Sequence, residues 1–126
     1  MINSTRTEQP NAVDVVDAYH RAWTTGDVDT AMDLVADDIV CRAPGQDLTG
    51  KAAYREFIAA FAPELTGVPE VARFADGDKV ALFYYPQTAT ATTTAAGECF
   101  TVREGKIVES VLAFDRLGYA PPQAEA

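Results

Sequence analysis

The sequence predicts an α+β fold, and two observations carry that prediction. Apolar residues recur at helical spacing through the first half of the chain and at strand spacing, punctuated by hairpin turns, through the second. Helices so segregated from strands pack on one face of a single sheet. The expected architecture is therefore a cone: N-terminal helices on a curved, mainly antiparallel β-sheet whose open end forms an apolar pocket.

Each element has its own signal. Asn11 is a candidate N-cap, and Ala12, Val15, Val16, Tyr19, Ala22 and Trp23 make one helical stripe that Gly26 closes. Asp27 caps a second, shorter helix with the stripe Val28, Ala31, Met32 and Val35, ended by Asp37-Asp38. Ile39-Val40-Cys41 reads as a short strand and Ala43 to Gly50 as loop. Thr49 is expected to cap a third helix from Lys51 to about Ala62, with Ala53, Tyr54, Phe57, Ile58 and Phe61 on one face and Pro63 as its stop.

Strands follow. Val71–Phe74 and Lys79–Gln87 flank Asp76-Gly77-Asp78, a hairpin signal. The run KVALFYYPQ is apolar in both registers, which predicts cover on both faces, and Pro86 suggests a bulge or edge. Thr88–Thr94 is threonine-rich and reads as a strand. Gly97 to Tyr119 then forms a long closing hairpin about Glu104-Gly105. One domain over residues 10–119 is expected, with 1–9 and 120–126 as flexible tails.

Composition narrows the function classes. A net charge of −9, with ten scattered Lys and Arg, argues against nucleic acid or an anionic membrane as partner. No run is long enough to span a bilayer, and the first eleven residues lack the apolar core of a signal peptide. Cys41 and Cys99 form no C-x-x-C pair and His20 is the sole histidine, so no metal or cofactor is expected. Reduced cysteines imply the cytoplasm. Apolar residues on both faces of the last strand, with Val111 and Ala113 opposite Ser110, Leu112 and Phe114, predict a homodimer built through the sheet face.

Three segments, YHRAWTTGDVDTAMDLVADDIV, LTGKAAYREFIAAF and GECFTVREGKIVESVLAFDRL, resemble the SnoaL-like group of the nuclear transport factor 2-like superfamily, also called cystatin-like. The resemblance covers about Asn11 to Tyr119 and implies the cone fold. It implies no single activity, because polyketide cyclases, ketosteroid isomerase, epoxide hydrolases and non-enzymes share it. Beside ketosteroid isomerase, a worked case of pKa tuning, the oxyanion-hole tyrosine falls on Tyr19 and the protonated aspartate on Glu98. The general base falls on Ala43, which takes no proton, so a steroid isomerase is not expected. The Asp-Arg-Asp set of the epoxide hydrolases finds no match around Arg42, Arg103 or Arg116.

The candidate catalytic residues are thus Glu98 and Tyr19. Strand alternation puts Glu98 on the face of Phe100 and Val102, where desolvation raises a carboxyl towards neutral pH, and a buried Tyr19 hydroxyl is a natural partner for it. Trp23, Phe57, Phe61, Phe83, Tyr85, Phe100, Leu112 and Phe114 are the candidate pocket lining, against the plainer reading of ordinary core. His20, off the apolar stripe, is expected in solvent, and Asp115-Arg116 as a structural ion pair closing the strand. Three functions stay open: a cofactor-independent isomerase, cyclase or lyase on a hydrophobic carbonyl compound, a non-catalytic binder of such a molecule, and a dimeric assembly module.

Overall fold

The computed structural model describes residues 11–119. Three helices and a six-stranded curved sheet are present, and strand structure separates the second helix from the third, as expected. The elements are α1 (Ala12–Thr24), α2 (Val28–Asp33), β1 (Val35–Ala43), β2 (Gln46–Thr49), α3 (Lys51–Phe61), β3 (Glu70–Asp76), β4 (Lys79–Tyr84), β5 (Ala96–Arg103) and β6 (Lys106–Phe114). Short 3-10 turns follow α3 at Ala62–Glu64 and β6 at Arg116–Tyr119. The strand order is β2-β1-β6-β5-β4-β3, and only the β1–β6 pair is parallel. The tails expected at 1–9 and 120–126 lie outside the described residues.

Helix α1 forms as its stripe predicts. Asn11 accepts a hydrogen bond from the Asp14 amide at 2.8 Å, and Val15, Val16, Tyr19, Ala22 and Trp23 are all buried. The stripe lies on the concave side of the sheet, packed with Val80, Leu82, Tyr84, Phe100 and Ile107 in one core. The β5–β6 hairpin is also as read: Arg103 pairs with Lys106, and the two turn residues, Glu104 and Gly105, take φ of 51° and 76°. Positive φ at both positions matches the right-handed twist of the flanking strands.

Four elements differ from the sequence reading. Helix α2 stops at Asp33, not at Asp37-Asp38, because Val35 leaves the helical stripe to pair with Ile107 of β6. The expected loop from Ala43 to Gly50 is a tight hairpin in which Ala43 pairs with Gln46 and β2 forms the sheet edge. Thr49 ends β2 and does not cap α3; the cap position is Gly50, at φ 92°, with no side-chain bond. Thr88–Thr94 is no strand. It loops between β4 and β5, and Thr88 is spent on turn bonds with Ala91: its amide donates to the Ala91 carbonyl at 2.9 Å while its hydroxyl accepts from the Ala91 amide at 3.2 Å.

The convex face of the sheet keeps large apolar residues in solvent. Val71, Phe74, Phe83 and Val111 are exposed, and the Phe74 and Phe83 rings meet edge to face at 6.2 Å. Phe83 pairs in register with Gly97, where an added Cβ would fall 2.8 Å from the ring. A glycine there leaves room for Phe83 to lie across the neighbouring strand.

The hairpin turn gives a direct test. Gly105→Ala forces a Cβ into the left-handed region and should cost about 1–2 kcal/mol. Gly105→Asn should cost less, because asparagine tolerates that region. Urea denaturation of the two variants measures the difference, and equal stabilities would contradict the turn assignment.

Candidate functional site: a buried carboxyl in an apolar cavity

Glu98 is the third residue of β5, opposite Leu82 of β4 on one side and Leu112 of β6 on the other. Residues opposite one another in a sheet point to the same face, so Glu98 enters the cone with two leucines as neighbours. It is 5% exposed. Its Oε1 accepts a hydrogen bond from the Tyr84 hydroxyl at 2.8 Å, and its Oε2 lies 3.4 Å from the Ser110 hydroxyl, which donates to it. Burial pushes the carboxyl up to about 7, against the two hydroxyl donors, which favour the charged form. Burial and the nearby Glu98 charge both hold Tyr84 well above the ordinary tyrosine range, so Tyr84 is a donor at every working pH.

Glu98 opens on a cavity of about 120 Å³. The inner wall is buried: Trp23, Ile58, Tyr84, Pro86, Ala96 and Glu98. The rim is made by the partly exposed Phe57, Phe61, Leu112, Phe114 and Tyr119. Glu98 is the one ionisable carboxyl in this lining. Of the predicted lining residues, Trp23, Phe57, Phe61, Leu112 and Phe114 are brought together there.

Three predicted lining residues are not. Phe83 is 42% exposed on the convex face and Tyr85, partly exposed, lies just past the end of β4 and outside the lining, while Tyr84 takes the inward place. A strand apolar in both registers gives no parity signal, and the signal that could have fixed it is the pairing partner of Glu98. Phe100 has the right face but the wrong depth: it is fully buried against the Tyr19 ring, 5.6 Å between centroids, beneath the cavity. The sequence reading also missed Ile58, Tyr84, Pro86, Ala96 and Tyr119. Tyr84 was legible as a partner, because it stands two residues from Leu82 on the face that Glu98 shares.

Tyr19 does not bond Glu98. It is fully buried, outside the cavity lining, and its hydroxyl meets that of Tyr54 of α3 at 2.5 Å. Burial, with the Tyr54 and Glu98 charges, keeps the Tyr19 proton on. His20 is not a solvent residue either. Its ring packs edge-on against Tyr84 at 4.7 Å and Trp23 at 5.8 Å, and burial lowers it to about 4, so it is neutral. Its Nδ1 and the Trp23 Nε1 are buried without a hydrogen-bond partner among the described residues.

Asp115 and Arg116 form no ion pair. Asp115 Oδ1 accepts from the Leu117 amide at 3.0 Å and starts the final 3-10 turn, while the Arg116 guanidinium lies over Gly45. Arg42 pairs with Asp47 at 2.9 Å and Glu109 at 3.7 Å on the surface, and Arg103 faces Asp78 at 4.0 Å. Ala43 stands at the end of β1, outside the lining. Cys41 is buried, its thiol pushed up to about 11 by burial, and Cys99 is partly buried; both are free. Among the described residues no group of three or more metal-ligating side chains occurs, and no helix is long and apolar enough to cross a membrane.

A family model described as a SnoaL-like domain matches residues 16–110. The chain belongs to the SnoaL-like domain family. A solved protein from Kribbella flavida DSM 17836 is 38% identical, with a TM-score of 0.83 over 86% of this chain and 90% of that one. An NTF2-like protein of unknown function from Cytophaga hutchinsonii ATCC 33406 shares the fold at 18% identity, with a TM-score of 0.78 over 90% and 97% of the two chains. TerC, co-crystallised with polyporic acid, shares it at 20% identity, with a TM-score of 0.68 over 86% and 94%. No curated protein sequence is similar enough to match. The α+β fold, with its helices on a curved sheet, is thus the fold that the sequence predicted.

Linkage turns the two shifted groups into a test. Glu98 takes up a proton near pH 4.5 in the unfolded chain and near 7 in the folded one, so the folded state holds the extra proton between these values. Its favourable contribution is complete below 4.5 and is lost as pH rises through 7. His20 runs the other way: its contribution is complete above 6.5 and is lost as pH falls through 4. The two slopes offset each other in the wild-type chain. Glu98→Gln removes one of them, so the variant should gain about 3 kcal/mol on the wild type between pH 5 and pH 8, at about 1.4 kcal/mol per unit of pKa displacement. Urea denaturation across that range measures it; a constant difference would rule out a buried, titrating Glu98.

Proposed function

We propose that this SnoaL-like protein binds a small, neutral, largely apolar molecule bearing a carbonyl oxygen in the cone cavity, and that Glu98 transfers a proton to or from it without a cofactor. The observation that carries the proposal is the lone carboxyl, poised near neutral pH, at the inner wall of a cavity otherwise lined by apolar and aromatic side chains. In its protonated form Glu98 offers an O–H to a ligand oxygen while its other oxygen keeps the Tyr84 bond. An anionic ligand would face a second negative charge each time Glu98 ionised, which disfavours it.

The reaction class that fits is isomerisation, cyclisation or elimination, in which the proton leaves Glu98 and returns to it. Tyr84 is the residue that orients the carboxyl. Tyr19 acts from behind, through its hydroxyl bond to Tyr54, as a positioning residue for the wall rather than a direct donor to the ligand. The second reading, a binder without turnover, uses the same hydrogen bond and no proton transfer.

A panel of neutral ring-sized ketones, enones and quinones separates the two readings. Affinity for a bound member should fall as pH rises above about 7, where Glu98 loses its proton. Glu98→Gln keeps an N–H donor, so it should bind with an affinity that no longer varies with pH. If the wild type turns that compound over, Glu98→Gln should lose about 100-fold or more in kcat. Unchanged turnover would reject the acid/base role, and tight binding without turnover would establish the binder.

The same reading places two chains against one another through the convex sheet face, over Phe74, Phe83, Val71 and Val111, and both free cysteines fit a reducing cytoplasm. Phe74, 62% exposed, is the variant to make. Phe74→Glu should convert a dimer to a monomer in sedimentation velocity with the fold intact by circular dichroism. A wild-type chain that sediments as a monomer would remove the assembly reading.

A further inference from the structure

The rim of the cavity is not uniform. Phe57 and Phe61 stand on α3, and Leu112 and Phe114 on β6, all within regular elements. Tyr119 comes from the 3-10 turn Arg116–Tyr119, at the end of the described residues. Its ring meets Phe61 edge-on at 5.5 Å and Phe114 edge-on at 5.4 Å, so it bridges the helix side of the rim to the sheet side. Its hydroxyl donates to the Pro86 carbonyl at 2.9 Å and lies 3.3 Å from the Thr94 carbonyl. Both acceptors belong to the connection between β4 and β5. One proton is thus shared between two carbonyls of a loop across the cavity mouth.

Few other contacts among the described residues hold the turn, the Arg116 guanidinium over Gly45 being one. Arg116 and Leu117 are exposed, Leu117 at 81%. Its inner bonds are local: Asp115 Oδ1 takes the Leu117 amide and the Asp115 carbonyl takes the Gly118 amide at 3.1 Å. Gly118 lies flat on Thr94, where an added Cβ would fall 2.3 Å from Oγ1. Among the described residues the turn's ties to the rest of the protein are two ring edges, one hydroxyl, the Gly118 contact and the Arg116 guanidinium over Gly45, so it opens at low cost, because few buried apolar contacts are lost. The cavity beneath it, about 120 Å³, is small beside the roughly 300–1,000 Å³ usual for small-molecule pockets.

We infer that Arg116–Tyr119 is a lid that swings about Asp115, and that Tyr119 is its latch. Closed, the Tyr119 ring seals the gap between Phe61 and Phe114 and keeps water from Glu98. Open, it joins the cavity to solvent and enlarges it for entry and exit. The lid serves the ligand site proposed above, but its motion can be read without any ligand.

Trp23 makes the readout possible. It is the only tryptophan of the chain and part of the inner wall, so quenching of its fluorescence by acrylamide reports access to the cavity. Tyr119→Phe keeps the ring and removes the latch, and it should raise the bimolecular quenching constant about twofold or more with far-UV circular dichroism unchanged. The opposite change is a staple. In a Cys99→Ser background, Thr94→Cys with Gly118→Cys places Cβ positions 3.1 Å apart, slightly inside the roughly 3.5–4.5 Å of a disulfide. Oxidising that protein should lower the quenching constant at least twofold, and reductant should restore it, even if Tyr119→Phe fails to fold. A staple shown closed by thiol titration that leaves quenching unchanged overturns the lid. That result would leave the Glu98 proposal standing, since a fixed mouth is compatible with it, whereas a pH-independent ligand affinity would remove the Glu98 proposal and leave the lid.

Discussion

The register of the central strands decides where charge can be placed in this protein. Leu82, Glu98 and Leu112 stand abreast on β4, β5 and β6, and the α1 stripe covers that face of the sheet. Any residue at position 98 therefore goes into the core. The sheet cannot slip to relieve it, since a shift by one residue would turn Val80, Leu82, Tyr84, Phe100 and Val102 out to water together. Fixed register makes the burial of Glu98 obligatory. What remains adjustable is its partners, and the fold supplies two hydroxyl donors from the flanking strands, Tyr84 on β4 and Ser110 on β6.

The same logic explains what could be read from the sequence. Helical stripes are self-anchoring: in α1 the period alone picks Ala12, Val15, Val16, Tyr19, Ala22 and Trp23, and all but Ala12, at the helix start, are buried. Glu98 was legible for a related reason, because a charged residue in a run with Phe100 and Val102 marks a face by contrast. The lining on β4 was not, since Val80, Leu82 and Tyr84 alternate with Ala81 and Phe83 and both sets are apolar. Only the cross-strand pair Leu82–Glu98 separates them, and pairing across an eleven-residue connection is a tertiary fact.

The start of β1 was misread for a different reason. Asp37 and Asp38 interrupt the apolar pattern, yet they are exposed where the β1–β6 register shifts between Val35 and Val40. A strand that bulges outward can carry acids that would stop a helix, so its first residues resemble a helix end. Likewise the threonines of Thr88–Thr94 have strand propensity but no partner strand, and the loop they form supplies a carbonyl to Tyr119. In both places tertiary pairing overrode the local signal.

A carboxyl held near pH 7 by opposing influences is a costly way to fill space. Burial alone would push Glu98 higher, and two hydroxyl donors in a wetter setting would pull it below its ordinary value. A leucine at 98 would match Leu82 and Leu112 and would need neither Tyr84 nor Ser110. A glutamine would be satisfied by part of the same set and would never ionise. The arrangement found favours neither alternative: it has donors suited to the anion and surroundings suited to the acid, so both protonation states are within reach at neutral pH. Structural needs do not call for that balance, whereas the proton transfer we propose for the cavity does.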